Sequence, residues 1–250
     1  MSDSVSIVVP PQGVQVWVDF DNTVTTQDVL DHLIAGYAVD EAWRAAEAEW
    51  GEGKIGSFEC LSRQFACIRI SPIELEMFLG TIRTDPGLLS LLSVLTQAKR
   101  EGMADFAILS DGVGSFIRTV LGRVAGVGGI GVSDEVTIRS NEIEHEGERL
   151  MLKCPLQDRS CTSAAAHCKC ASARSLSTPG RPWIYIGDGR SDLCPARQCQ
   201  VVFAKGALAR YLRAEGRAFI SFETLEDVAA FLKPAFARAA EARSQSGVGS

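Results

Sequence analysis

Three short clusters carry the groups able to do chemistry: Asp19-Phe20-Asp21-Asn22-Thr23, Ser110-Asp111-Gly112 and Gly187-Asp188-Gly189-Arg190-Ser191-Asp192. Turns after strands favour Asp, Gly, Ser and Asn on conformational grounds alone. One such cluster therefore means little, and three in order mean more. Clustered carboxylates cannot all stay ionised without a cation. With no His or Cys among them, the expected ion is hard and oxygen-ligated, most simply Mg²⁺. A carboxylate beside Mg²⁺ can attack phosphorus, because the metal neutralises charge on the incoming phosphate. The product of that attack is an aspartyl phosphate.

The elements needed to hold these groups are legible. Val14–Val18 alternates apolar and polar residues and reads as a strand ending at Asp19. Asp105–Leu109, Trp183–Ile186 and Val201–Phe203 read as further strands, with Phe219-Ile220 as a short fifth. Between the first two lie helical patterns: Val29, Leu33 and Tyr37 at spacings of four after a cap at Thr26 or Asp28, then 40–50 with Trp43 and Trp50, then Phe58 to Ile68. Ser71-Pro72-Ile73-Glu74 is a capping box that opens a fourth helix, and Asp85-Pro86 opens a fifth with Leu88, Leu92 and Leu95 inward. A helix is expected from Ser115 to Val124, a Gly-rich turn at 126–131, a hairpin at 136–152 turning near Glu146-Gly147, and a closing helix at 224–233. Strands alternating with helices imply an α/β fold with a parallel, Rossmann-like sheet, and sites on such sheets form at the carboxyl ends of strands. The run of helices before the second strand does not fit a crossover and reads as an inserted α-helical cap. The expected division is a core of 1–25 and 99–243, a cap of 26–98 and a disordered tail of 244–250.

As an ordered set, Asp19-x-Asp21-x-Thr23, Ser110 and Gly187-Asp188-Gly189 with Asp192 resemble the haloacid dehalogenase (HAD) superfamily of phosphatases. The helical insertion resembles the cap of its phosphoserine-phosphatase-like branch. The resemblance implies that Asp19 is the nucleophile and a Mg²⁺ ligand. It implies that Asp21 is general acid and then base, with its backbone carbonyl on the metal, and that Thr23 supports the loop. Ser110 would bind phosphate, with the backbone N–H groups of Asp111 and Gly112 near it. Asp188 would complete the metal ligands, and Asp192 would orient a water or the lysine. The superfamily also uses a lysine between the second and last motifs. Lys153 and Lys169 lie there, and Lys169, opening a helix before the third strand, has the expected context.

Cys154, Cys161, Cys168 and Cys170 lie within seventeen residues beside His167. Three readings stand open: a structural Zn²⁺ site, reduced thiols packing a loop, or a disulfide. A Cys-rich run ending in Cys-Lys resembles a narrower HAD group. That group includes the methionine-salvage phosphatase acting on 2-hydroxy-3-keto-5-methylthiopentenyl-1-phosphate and the phosphoethanolamine/phosphocholine phosphatases.

The expected function is Mg²⁺-dependent hydrolysis of a small phosphomonoester. The methionine-salvage ester leads, with phosphoserine, phosphocholine or phosphoethanolamine and sugar phosphates behind it. Asp28 has the placement of the acidic residue that faces substrate in phosphoserine phosphatases; an ordinary helix cap is the equal alternative. The carboxylate-binding arginine of those enzymes aligns with Phe65, so Arg63, together with Arg44 and Arg69, is an unaligned candidate. Trp43 is a candidate for cation–π contact with a choline-like group. A non-catalytic Cys-rich metal- or partner-binding module on the same scaffold is the competing class. Phosphoryl transfer, or C–P cleavage through Lys54, ranks lower.

Composition narrows the rest. The 250 residues carry 25 Lys+Arg against 31 Asp+Glu, a net charge of -6, with no basic tract for a nucleic acid. No apolar run approaches the roughly 18 residues of a membrane span. Met1–Val9 has no Lys or Arg of a secretory signal, so a cytoplasmic location is expected.

Overall fold

In the computed structural model, residues 7–128 and 136–246 are described. The strands are β1 Val14–Val18, β2 Ala104–Val113, β3 Thr137–Glu146, β4 Arg149–Lys153, β5 Trp183–Gly187, β6 Val201–Ala204 and β7 Ile220–Ser221. They form one sheet in the order β4-β3-β2-β1-β5-β6-β7. Every pairing is parallel except the β3–β4 hairpin. Strand alternation divides the core into two layers. Val14, Val16 and Val18 face one layer with Ile108, Ile184 and Phe203, and Trp17 faces the other with Leu109, Tyr185 and Val202.

Helices α1 Val29–Tyr37, α2 Ala42–Gly51, α3 Ser57–Cys67 and α4 Pro72–Thr81 follow β1. Asp28 caps α1 by accepting from the Asp31 N–H, and the Ser71/Glu74 capping box starts α4. Helix α5, Leu88–Arg100, which the sequence reading counts with the insertion, packs on β2 and on the C-terminal helix α10, Leu225–Ser246. Asp85 fixes that contact by accepting N–H groups from Gly87 and Leu225, each at 2.9 Å. Only glycine fits at 87, because a Cβ there would lie 1.9 Å from the Glu226 nitrogen.

The remaining helices are α6 Gly114–Gly128, α7 Lys169–Leu176, α8 Leu193–Ala196 and α9 Gly206–Ala214, with a 3-10 turn at Arg190–Asp192. Three boundaries differ from expectation. Helix α6 runs to Gly128, so 126–128 of the expected Gly-rich turn are helical. Helix α10 continues through Pro234 to Ser246, because Ala235 and Phe236 extend the buried stripe of Leu225, Val228 and Leu232 beyond the proline. Within the expected tail, 244–246 are therefore helical and 247–250 lie outside the described residues, as do 129–131 of the Gly-rich turn and Met1–Ser6. Strand β2 runs on to Val113, so Ser110-Asp111-Gly112 sits inside its last turn of register, where pairing with β3 shifts between Leu109 and Val113. Such an irregularity re-aims side chains. No described helix is long and apolar enough to cross a membrane.

Candidate active site

Because β1 lies between β2 and β5, the ends of all three strands meet. Asp19, 5% exposed, leaves β1 with its N–H bonded to the Ile186 carbonyl of β5 at 2.9 Å. The buried Phe20 carbonyl then accepts from the N–H groups of Thr23, Val24 and Thr25, closing a tight turn. Asn22 takes φ 55°, a conformation Asn tolerates better than most residues. The turn brings Asp21 into the same cavity as Asp19. One Asp21 oxygen accepts from the Val29 N–H at the start of α1 (2.9 Å), and the other meets the Ser110 hydroxyl (3.4 Å). Burial, then the Asp28 carboxylate, holds Asp21 well above the usual carboxylate range, which suits a group that must carry a proton.

Lys169, 4% exposed, is the centre of the charge network. Its Nζ donates to Asp19 Oδ1 at 2.5 Å, Asp192 Oδ1 at 2.6 Å and Ser191 Oγ at 3.2 Å. Asp192 is saturated: Oδ1 also accepts from the Tyr185 hydroxyl, and Oδ2 accepts from the N–H groups of Asp188 and Gly189. Oxygens of Asp19, Asp188 and Asp192 lie within 4.8 Å of one another. Since Asp192 has no lone pair left, Asp19 and Asp188 are the carboxylates with oxygen to offer a cation. Thr23 donates to Asp188 at 3.2 Å. Burial, then Asp192, raises Asp188 to about 6, and burial with both neighbouring carboxylates presses Asp19 upward against the pull of Lys169. An all-oxygen, anionic pair under such crowding fits a hard divalent ion.

The Ser110 side of the site is braced by His167, which sequence reading groups with the cysteines. His167 is 1% exposed. Its Nδ1 contacts the Ser110 carbonyl at 2.8 Å and its Nε2 the Ser172 hydroxyl at 2.7 Å, while its N–H donates to Asp111 Oδ1 at 2.7 Å. The residue thus ties the end of β2 to helix α7, which carries Lys169. The Gly112 N–H donates to Ser110 Oγ at 2.9 Å and so orients that hydroxyl. Burial depresses the His167 imidazole from 6.5 to about 4. Below about pH 6.5 the unfolded chain takes up a proton that the folded chain refuses until about pH 4, so stability falls across that window. His167→Gln is expected to make the unfolding free energy less steep there, by up to about 1.4 kcal/mol per pH unit, as read from denaturant titrations at several pH values.

A cavity of about 370 Å³ opens over these groups. Asp19, Asp21, Gly112, Lys169 and Asp188 form its floor, and Asp28, Asp31, Glu47, Trp50 and Gln64 line it from α1, α2 and α3. Arg190 fastens the two sides, donating to the carbonyls of Trp50 (2.8 Å) and Gly51 (2.7 Å). Other expected contributors lie elsewhere. Trp43 is buried with Arg44 stacked on its ring, and Trp50 is the tryptophan at the cavity. Arg63 is turned outward to Glu49 and Glu59, and Arg69 donates to the carbonyls of Ala66 and Ile68.

The cysteines are not gathered as the four-thiol set considered from sequence. Cys154 packs against the main hydrophobic core. Cys168 neighbours Cys161, while Cys170 Sγ lies 3.3 Å from Cys194 Sγ. Among the described residues, the carboxylate trio is the one place where three metal-ligating groups converge. All eight thiols are free.

Residues 14–208 match the sequence model of the family described as "Putative Phosphatase". A 2-hydroxy-3-keto-5-methylthiopentenyl-1-phosphate phosphatase of Exiguobacterium sibiricum is 28% identical over 223 residues, spanning 86% of this chain and 94% of the relative. The polyol phosphate phosphatase of Saccharomyces cerevisiae is 28% identical over 239 residues, spanning 89% and 93%. A HAD family hydrolase from Salmonella enterica serovar Typhi shares the fold, with TM-score 0.63 at 20% identity, covering 89% of this chain and 72% of that one. A family match spanning most of the chain decides membership: the chain is a phosphomonoesterase of the "Putative Phosphatase" family, on a fold it shares with a HAD family hydrolase.

Proposed function

We propose that the chain hydrolyses a small phosphomonoester by way of a phosphoryl group on Asp19. The observation that carries this reading is Lys169 held between Asp19 and Asp192, with Asp21 over the same cavity. Asp19 attacks phosphorus, and the P–O bond to the leaving alcohol breaks as Asp21 gives that oxygen its proton. Asp21 then takes a proton from water, which attacks the same phosphorus and returns Asp19 as carboxylate with release of phosphate. Lys169 and Ser110 meet the phosphoryl oxygens. Asp19, Asp188 and the main-chain carbonyl of Asp21 would hold Mg²⁺, which when bound supplies charge neutralisation at the phosphate. Helices α1–α4 act as the cap that shuts out bulk water.

The leading substrate is 2-hydroxy-3-keto-5-methylthiopentenyl-1-phosphate, supported by the likeness to phosphatases of that name. Phosphoserine is disfavoured, because Arg44, Arg63 and Arg69 are all engaged away from the cavity. A phosphate-release screen over small esters, with and without Mg²⁺ and with Asp19→Asn beside the wild type, tests the reading. Mg²⁺-dependent release lost in the variant is expected; release unaffected by the substitution would overturn it.

A further inference from the structure

The cap side of the cavity has a polar character that the phosphate chemistry does not use. Gln64 on α3 is 4% exposed and lines the cavity, yet its side-chain amide has no partner among the described residues. Its amide is open to the cavity, where a bound group can pair with it. Around the same cavity stand Asp28, Asp31 and Glu47. Among the described residues none of these three has a basic side chain within ion-pair distance. Their crowding shows at Asp31, whose carboxyl is lifted to about 7 by desolvation and then by Asp28 and Glu47. The cavity's two cations are already committed, Lys169 to Asp19 and Asp192, and Arg190 to the carbonyls of Trp50 and Gly51.

We infer that Gln64, Glu47 and Asp31 form a subsite for an uncharged, hydroxyl-bearing carbon chain at the far end of the substrate. The inference rests on the phosphatase reading above and deepens it. Carboxylates accept hydrogen bonds, and a hydroxyl donates them. The Gln64 amide both donates and accepts, as a hydroxyl does. The Trp50 and Leu61 side chains at the same wall cover carbon. A substrate carboxylate would meet three acids and no free cation, and like charges in a desolvated site repel strongly.

The test compares glycerol phosphate, phosphoglycerate, phosphoethanolamine and p-nitrophenyl phosphate, each with Mg²⁺. The wild type is expected to favour glycerol phosphate over phosphoglycerate by roughly 10² or more in kcat/KM. In Gln64→Leu the kcat/KM ratio of glycerol phosphate to p-nitrophenyl phosphate is expected to fall roughly tenfold. In Asp31→Asn/Glu47→Gln the discrimination against phosphoglycerate is expected to shrink by a similar factor. Because the readouts are ratios within one protein, partial loss of folded enzyme does not mimic them. Equal use of phosphoglycerate by the wild type, or ratios unmoved in both variants, would overturn the subsite. Preference for phosphoethanolamine would overturn its assignment to hydroxyls. Failure to hydrolyse any ester, p-nitrophenyl phosphate included, would instead bring down the phosphatase reading and the subsite with it.

Discussion

Asp19→Asn is expected to lower kcat by at least roughly 10⁴-fold, the scale on which removal of an attacking side chain acts. The loss should fall on kcat rather than KM, because the substituted atom forms a bond to phosphorus and makes little ground-state contact. Thermal stability should hold or rise. Asn keeps the shape of the side chain, and it relieves the repulsion that Asp19 shares with Asp192 and Asp188 at a site 5% exposed. Asp192 stays bonded to Lys169, Tyr185 and two backbone N–H groups, so the network survives the change. Steady-state kinetics beside a melting curve checks both halves. A variant that is inactive because it is unfolded would fail the second.

Lys169→Met has the second large effect, and it couples folding to catalysis. The ammonium compensates Asp19 and Asp192 at 2.5 and 2.6 Å inside a site from which water is nearly excluded. Removing one partner of a buried ion pair strands the other, at a cost of about 3–5 kcal/mol. The metal-free variant should therefore melt well below the wild type. Divalent cation should restore more stability to the variant than to the wild type, since an ion between Asp19 and Asp188 replaces part of the missing positive charge. Turnover should stay lower by roughly 10² to 10³, because the donor facing the phosphoryl oxygens is gone. Melting with and without Mg²⁺, together with kinetics on the same samples, measures these effects. An equal Mg²⁺ shift in both proteins would contradict the account.

The site was legible where chemistry sits at strand ends. Asp19, Ser110 and Asp188 converge because β1 is the central strand between β2 and β5; the apolar runs and intervening helices imply the parallel sheet, and the fold supplies the strand order. Lys169 was legible from its place at the head of a helix. His167 was hidden. Its sequence neighbours are cysteines, while its working partner, the Ser110 carbonyl, lies 57 residues away. The cap residues were hidden for a related reason. Trp43 and Trp50 share a helix, but packing buries the first and leaves the second over the cavity. Periodicity gives the phase of a helix and not the identity of what it faces. Gln64 carries no sequence signal, because an amide matters here through the absence of a partner. At α10, the closing helix expected at 224–233 runs on, because the apolar stripe on either side of Pro234 holds the helix in place.

The central claim is that the phosphoryl group passes through Asp19, and trapping it there is the direct test. Wild-type protein turning over an ester with Mg²⁺ would be quenched and treated with borohydride, which reduces an acyl phosphate to the alcohol and releases phosphate. Peptide mapping by mass spectrometry would then locate the reduced side chain. The account predicts reduction at Asp19 that requires both ester and Mg²⁺ and is absent from Asp19→Asn. Reduction at Asp21 or Asp188, or turnover with no trapped carboxyl at all, would contradict it.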